Sequence, residues 1–139
     1  GIEFGDRQEE SAKKAQIVAR LMDWRALTNS LILCHFEDVP GPQLLGLINA
    51  VTGWGWDWSD VRLAGERIFT FKRLLNHRFG MTRADDRLPR LLLQPLPEGG
   101  AGGYAPDIER LLALTYAVRG YDPLTGRPKA EKLAELGLS

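Results

Sequence analysis

The sequence is poor in sulfur, with one cysteine, Cys34, and two methionines among 139 residues. A single thiol allows no internal disulfide, and its natural setting is a reducing cytoplasm. Net charge is also missing, since 18 Lys and Arg face 18 Asp and Glu. That balance argues against general nucleic-acid binding, which relies on a basic excess to displace counterions from phosphate. It argues equally against polybasic adhesion to a membrane surface. No apolar run is long enough to span a bilayer, and the opening residues have no signal-peptide pattern. Strand-like alternation and internal repeats are absent as well.

What is present is a chain of one-domain size with enough apolar residues to bury a core. The opening Gly1-Ile2-Glu3-Phe4-Gly5 resembles neither a natural start nor a targeting signal. Residues 1–11 are therefore expected to be an extension or cut point, and 12–139 the helical domain of a larger protein. Helical periodicity starts near Arg7, with Ala15, Val18 and Met22 on one stripe and Leu21 and Trp24 widening it. The run Leu31-Ile32-Leu33-Cys34 is continuously apolar, which predicts burial all round at that end. Val39-Pro40-Gly41-Pro42 reads as a break, followed by a short helix from Gln43 to Val51 closed at Thr52-Gly53.

Three tryptophans then cluster at Trp54, Trp56 and Trp58, a packed corner rather than a stacking platform. Asp57 or Ser59 is placed to cap the next helix, on which Val61, Ala64, Ile68, Phe71 and Leu75 predict a narrow seam ending near Gly80. Leu88 to Leu96, bracketed by prolines, reads as a short turn or helix. Gly99 to Gly103 reads as a flexible surface loop. A further helix is predicted from Pro106 to Arg119, with Ile108, Leu111, Leu112 and Tyr116 on one side. A turn at Tyr121 to Gly126 follows, then a last helix from Pro128 that Gly137 ends. The class expected is all-α, an irregular multi-helix domain.

For chemistry, Cys34 stands alone. A lone cysteine in an apolar stretch ordinarily reads as a small buried core residue. The alternatives are a metal or cluster ligand, or a nucleophile. The nucleophile reading is weak, because His35 is the adjacent residue and His77 approaches only through the fold. His35, Glu37 and Asp38 straddle a helix end without repeated ligand spacing, so solvation accounts for them. Asp85 and Asp86 among Arg83, Arg87 and Arg90 read as surface or interface ion pairs rather than a cation site. Arg62, Arg67, Arg73 and Arg78 leave too little positive excess for a nucleic-acid face.

Several blocks in order carry a resemblance. They are Trp24-Arg25-Ala26-Leu27-Thr28-Asn29-Ser30-Leu31-Ile32-Leu33-Cys34-His35-Phe36 and Leu47-Ile48-Asn49-Ala50-Val51-Thr52-Gly53-Trp54. Gly65-Glu66-Arg67-Ile68-Phe69, Lys72-Arg73-Leu74-Leu75-Asn76 and Thr82-Arg83-Ala84-Asp85-Asp86-Arg87-Leu88-Pro89 come next. Arg119-Gly120-Tyr121-Asp122 and Lys132-Leu133-Ala134-Glu135-Leu136-Gly137-Leu138 close the series. From about Ala12 to Leu138 the chain resembles the C-terminal helical domain of the tungsten-pterin aldehyde:ferredoxin oxidoreductases.

The resemblance implies a role in oxidising aldehydes to carboxylic acids at tungstopterin (or molybdopterin), with electrons passing through a [4Fe–4S] cluster to ferredoxin. In that family an Asp-x-x-Gly-Leu-Cys motif supplies the fourth cluster ligand and contacts to the pterin. Carried onto this sequence, it makes Cys34 the metal ligand and Asn29 and Leu33 cofactor-binding residues. Two positions depart from the pattern: Asn29 replaces the acid and Ile32 the glycine. The remaining cluster cysteines would come from N-terminal domains, so the fragment alone is expected to be inactive and without cofactor. Its expected partners are ferredoxin and those domains, with neither nucleic acid nor membrane, and an uncovered apolar face near Leu31 to Phe36 is expected to promote association. The alternatives are a relative with another substrate, such as an aromatic-ring thioester reductase subunit, or a non-catalytic helical interaction module.

Overall fold

The computed structural model describes residues 5–34, 36 and 39–139. Among them lie α1 (Ala12–Ser30), α2 (Gly41–Thr52), α3 (Trp58–Arg78), α4 (Ile108–Arg119) and α5 (Ala130–Glu135). Short 3-10 turns occupy Arg83–Asp85 and Arg90–Leu93. No strand occurs among the described residues, only an isolated antiparallel bridge between Tyr121 and Pro128. The chain is all-α, as its periodicity predicts. None of its described helices is long and apolar enough to cross a membrane.

Local chemistry sets the helix ends, and in places it moves them from where periodicity puts them. α1 begins at Ala12 rather than Arg7, because the Ser11 hydroxyl accepts the Lys14 N–H at 3.1 Å and caps the helix there. The stretch before it is tied to the body instead. Glu10 accepts from the Tyr104 hydroxyl at 2.6 Å and from the Asp107 N–H at 2.9 Å. Gln8 donates to the Ala101 carbonyl at 2.9 Å, so the glycine loop read as flexible is bound to the N-terminal segment. Its own turn is closed by Gly103 N–H on the Leu96 carbonyl at 2.8 Å.

The prolines read as a break open α2 instead, since Pro42 sits in the first turn, where a missing N–H costs nothing. Gly53 in the left-handed region closes it. At the start of α3, Asp57 and Asp60 form a reciprocal capping box, confirming the first of the two expected caps.

The packing face of α3 differs from the predicted seam. Val61, Gly65 and Thr70 are buried, whereas Phe71 is half exposed. The cause is Gly65. A Cβ there would lie 2.5 Å from the Asp23 carbonyl oxygen, so the missing side chain lets α1 approach the α3 backbone directly. α1 is the axis of the fold, making the extended helix contacts with both α3 and α4.

One arginine locks this arrangement. Arg119, at the end of α4 and only 2% exposed, donates to Asp23 at 2.5 Å and to the Ala19 carbonyl at 2.9 Å. Its guanidinium also lies 4.2 Å from the Phe69 ring centre on α3. Burial pushes the Asp23 carboxyl above its ordinary value, and the bond and charge of Arg119 oppose that rise. The end of the chain is fixed to α3 by Arg67, which donates to the Leu136 carbonyl at 2.7 Å, and by the Lys132–Glu66 pair at 3.0 Å.

A second polar cluster takes one of the expected ion pairs to a packed interface. Asp86 is largely buried, held by both ends of the Arg73 guanidinium and by the Tyr116 hydroxyl, which donates to it. Arg73 Nε also donates to the Gly126 carbonyl at 2.9 Å. Burial alone would raise the Asp86 carboxyl, but the bonds from Arg73 and Tyr116 outweigh it and hold it below the ordinary 3.8. Burial and the same carboxylate push the Tyr116 phenol up to about 12. Its neighbours do behave as surface groups: Arg83 pairs with Glu109 at 2.5 Å, and Asp85 caps at Thr82.

Two outcomes follow from this packing. Gly65→Ala forces the two helices apart and should cost about 2–3 kcal/mol in chemical denaturation; an unchanged midpoint would show that α1 does not need the close approach. Asp86 contributes stability that is present above its unfolded value and lost as pH falls through its lower folded one. Asp86→Asn should therefore be less stable at pH 7 by about 2 kcal/mol. It should also lose less stability than the parent between pH 5 and pH 2, and parallel acid curves for the two proteins would refute the assignment.

Candidate functional site

The site is built from the last turn of α1. Ala26 and Leu27 are its final buried residues, and the helix ends at Ser30. Beyond it, the Ile32 N–H bonds to the Asn29 carbonyl at 3.1 Å and the Leu33 N–H to the Thr28 carbonyl at 3.2 Å. This pair of bonds defines a Schellman cap, whose turning residue lies in the left-handed region. That residue is Ile32, with φ of 57°, and among the described residues it is the one non-glycine with positive φ. Glycine adopts this conformation freely, while a β-branched side chain is strained in it.

The turn redirects the chain, which corrects the expected all-round burial of Leu31 to Cys34. Leu31 and Cys34 are exposed, Leu33 is half-buried, and Ile32 and Phe36 are 91% and 98% exposed. Once the helix ends, these side chains no longer lie on the face that α3 and α4 cover. The buried-thiol reading of Cys34 fails for the same reason, since the thiol is free and exposed.

Around this end, Thr28 donates to the Arg25 carbonyl at 3.2 Å and Ser30 to the Ala26 carbonyl at 2.9 Å. Both hydroxyls are thus turned onto their own helix, and the Asn29 carboxamide is left at the surface. The three residues singled out from the sequence, Asn29, Leu33 and Cys34, accordingly share one capping turn. His77 does not join them; its Nε2 lies 3.1 Å from the Gly126 carbonyl, beside the Arg73–Asp86 cluster. The His35, Glu37 and Asp38 group lies outside the described residues.

The donor set fits a part of a cofactor site. No group of three or more His, Cys, Asp and Glu among the described residues is arranged to hold a metal ion. A [4Fe–4S] cluster takes four ligands, and here one exposed thiol stands beside an apolar shoulder of Leu31, Ile32 and Phe36. That is suitable for one thiolate of a cluster whose remaining ligands come from elsewhere. An exposed carboxamide at Asn29 offers both donors and an acceptor to a polar heterocycle edge.

Sequence reading missed the capping turn itself. The signal was the glycine of the family motif at the Ile32 position, since an expected glycine marks a left-handed residue. It also missed two clefts beside α1, which periodicity does not reveal. One, of about 470 Å³, lies against Met22, Phe69, Leu112 and the Arg73–Asp86–Tyr116 cluster. The other, of about 600 Å³, runs between Trp24 and Trp58, with Arg20 and Arg62 at its wall. The tryptophans do not form the packed corner predicted for them, because Trp54 and Trp58 are substantially exposed.

Replacing Ile32 by the glycine of the motif should relieve the strained cap. Ile32→Gly is expected to raise stability by about 1 kcal/mol. That corresponds to a melting temperature higher by roughly 3 °C for a chain of this size. A lower melting temperature would mean that the turn is not left-handed in solution.

Comparison with known proteins draws these observations together. The family model for aldehyde ferredoxin oxidoreductase, domains 2 and 3, matches residues 2–138. A tungsten-containing aldehyde ferredoxin oxidoreductase of Pyrococcus furiosus is 34% identical over 138 residues, covering 96% of this chain and 23% of the relative. Its counterpart in Thermococcus kodakarensis is 32% identical over 138 residues, with the same coverage of 96% and 23%. An aliphatic sulfonate oxidoreductase, WOR-like subunit, of Pyrococcus furiosus is 33% identical over 150 residues, covering 99% of this chain and 23% of the relative. The chain spans about a quarter of the length of these relatives. With a family match running nearly end to end over an all-α fold, the chain belongs to the aldehyde ferredoxin oxidoreductase family.

Proposed function

We propose that this chain is the C-terminal helical part of a larger tungsten-pterin (or molybdenum-pterin) oxidoreductase. The reaction is oxidation of an aldehyde to a carboxylic acid, with the electrons delivered to ferredoxin in the cytoplasm. The observation that carries the reading is the turn at the end of α1. The positions of the Asp-x-x-Gly-Leu-Cys motif fall on it, its glycine position is left-handed, and the Cys34 thiol emerges exposed. Likeness to tungsten-containing relatives over nearly the whole chain supports the same reading.

When bound, the tungsten-pterin supplies the oxygen-atom and two-electron chemistry, and the [4Fe–4S] cluster relays the electrons singly. The chain's own residues prepare their places. Cys34 provides one thiolate, freed of competing partners by its exposure. Asn29 presents a neutral carboxamide to the pterin edge, a weaker acceptor than the acid of the family motif. Leu33 flanks it as an apolar contact, and Leu31, Ile32 and Phe36 exclude water from around the thiolate once the neighbouring domains cover them. One thiolate cannot retain a cluster alone, so the remaining ligands belong to the rest of the enzyme.

A second reading keeps the family and changes the substrate. Its support is the likeness to the WOR-like subunit of an aliphatic sulfonate oxidoreductase, together with the departures of Asn29 and Ile32 from the motif. An assay of the complete enzyme against aldehydes and alkyl sulfonates separates the two.

Cys34→Ser in the complete enzyme tests the common core of both readings. Because Cys34 is exposed, the variant should fold normally, yet lose the paramagnetic signal of the reduced cluster and most of its bound iron. Iron content and signal equal to the parent's would remove Cys34 from the cluster.

A further inference from the structure

A different surface carries an inference beyond the cofactor turn. α2 has 12 residues and no charged one, and its buried side chains are Leu44 and Ile48. Leu47 and Val51, one position round the helix, are 55% and 84% exposed, and Trp54 just beyond is 62% exposed. The extended helix packing of the fold runs between α1 and α3 and between α1 and α4, and α2 has no part in it. α2 therefore presents an apolar sector wider than the one this chain buries.

The adjoining loop is already set in place. Asn49 accepts the Trp56 N–H on Oδ1 at 2.7 Å and donates from Nδ2 to the Trp56 carbonyl at 2.8 Å. The Trp54 N–H reaches the Thr52 hydroxyl at 3.3 Å, and the rings of Trp54 and Trp56 are 4.7 Å apart. These bonds fix the loop's path while Trp54 is exposed, so docking on it would require little rearrangement of the loop.

We infer that the Leu47–Val51–Trp54 face is an interdomain surface, occupied by the three-quarters of the oxidoreductase that lies outside this chain. This rests on the reading of the chain as part of a larger enzyme. Size argues against a second copy as the occupant. A stripe one helix wide along 12 residues covers only about 200 Å². A stable pair of proteins needs roughly 800 Å² on each partner. A stripe this small serves as one part of a larger contact with a tethered domain, where the effective concentration is high. Position argues the same way. α2 begins at Gly41, seven residues after Cys34, a separation that an extended chain spans in at most about 25 Å, so a body that brings the other cluster ligands to Cys34 is within reach of α2.

The test is site-specific photo-crosslinking in the complete protein of which these residues are part. p-Benzoylphenylalanine is placed at Val51 in one preparation and at Leu47 in another, and the crosslinked peptides are mapped by mass spectrometry. Crosslinks from both positions to segments outside this chain, within one molecule, are the expected result. Crosslinks to α2 of a second copy, or illumination that yields no protein crosslink, would overturn it. Tungsten and iron content of the same preparations is read separately. Their absence would defeat the proposed function and leave the crosslink map to decide the docking face.

Discussion

The fold hangs on the contact of α1 with α3 at Gly65. Two helix backbones that meet without an intervening Cβ bring Asp23 deep between α3 and α4, where a carboxylate is costly unless paired. Arg119 supplies the pair, and because it also bonds the Ala19 carbonyl and covers Phe69, it ties three helices with one side chain. The apolar core around it is modest: Ala19, Ala26, Leu27, Val61, Tyr116, Tyr121 and Leu136 are its buried members on the elements that meet there. The specificity of this arrangement is therefore polar, fixed by geometry that only one helix register satisfies.

The Arg73–Asp86–Tyr116 cluster extends the same logic outward. It joins α3, the 3-10 turn and α4, and through the Gly126 carbonyl it holds the turn that leads into the final helix. Arg67 and Lys132 then fasten α5 to α3. The Arg83–Asp85 turn, α4, the Gly126 turn and α5 are thus each tied to a helix by a charged group. This lets a sequence with many exposed leucines still hold a defined shape.

Local signals in the sequence were legible where one residue decides a structure alone. Asp57, one of the two expected caps, caps α3 through its carboxylate. Gly53 ends α2 and Gly137 follows α5, both in the left-handed conformation that the missing side chain permits. The seam of α3 was not legible, since a buried glycine carries no periodic signal and its meaning depends on a carbonyl from another helix. Nor was the Asp23–Arg119 pair, whose members are 96 residues apart and look like ordinary charges on amphipathic helices. At the candidate site the residue types were legible through the family motif. Their exposure was foreseen only through the resemblance, which left the face near Leu31 to Phe36 uncovered; Leu31 to Cys34 has the composition of a core, and the left-handed turn at Ile32 is what takes it out of one.

The distribution of polar and apolar groups explains why the site looks unfinished. In a self-sufficient domain the charged groups face water and the large apolar side chains face inward. Here the α1–α3–α4 junction buries an arginine paired with a half-buried aspartate, while Ile32 and Phe36 near Cys34 and Val51 and Trp54 at the end of α2 stand at the surface. The inward charges are paired within the chain, through both terminal nitrogens of Arg119, although its buried Nε has no hydrogen-bond partner among the described residues. Among the described residues, exposed apolar groups occur at the turn after α1 and along α2, and again at Phe79, Leu91 and Leu124. A strained left-handed isoleucine at this edge fits the pattern, because strain of this kind persists where surrounding contacts reward the backbone path that it imposes. Among the described residues the cap contributes the Ile32–Asn29 and Leu33–Thr28 hydrogen bonds, and what the turn presents outward is the Cys34 thiol and its apolar neighbours.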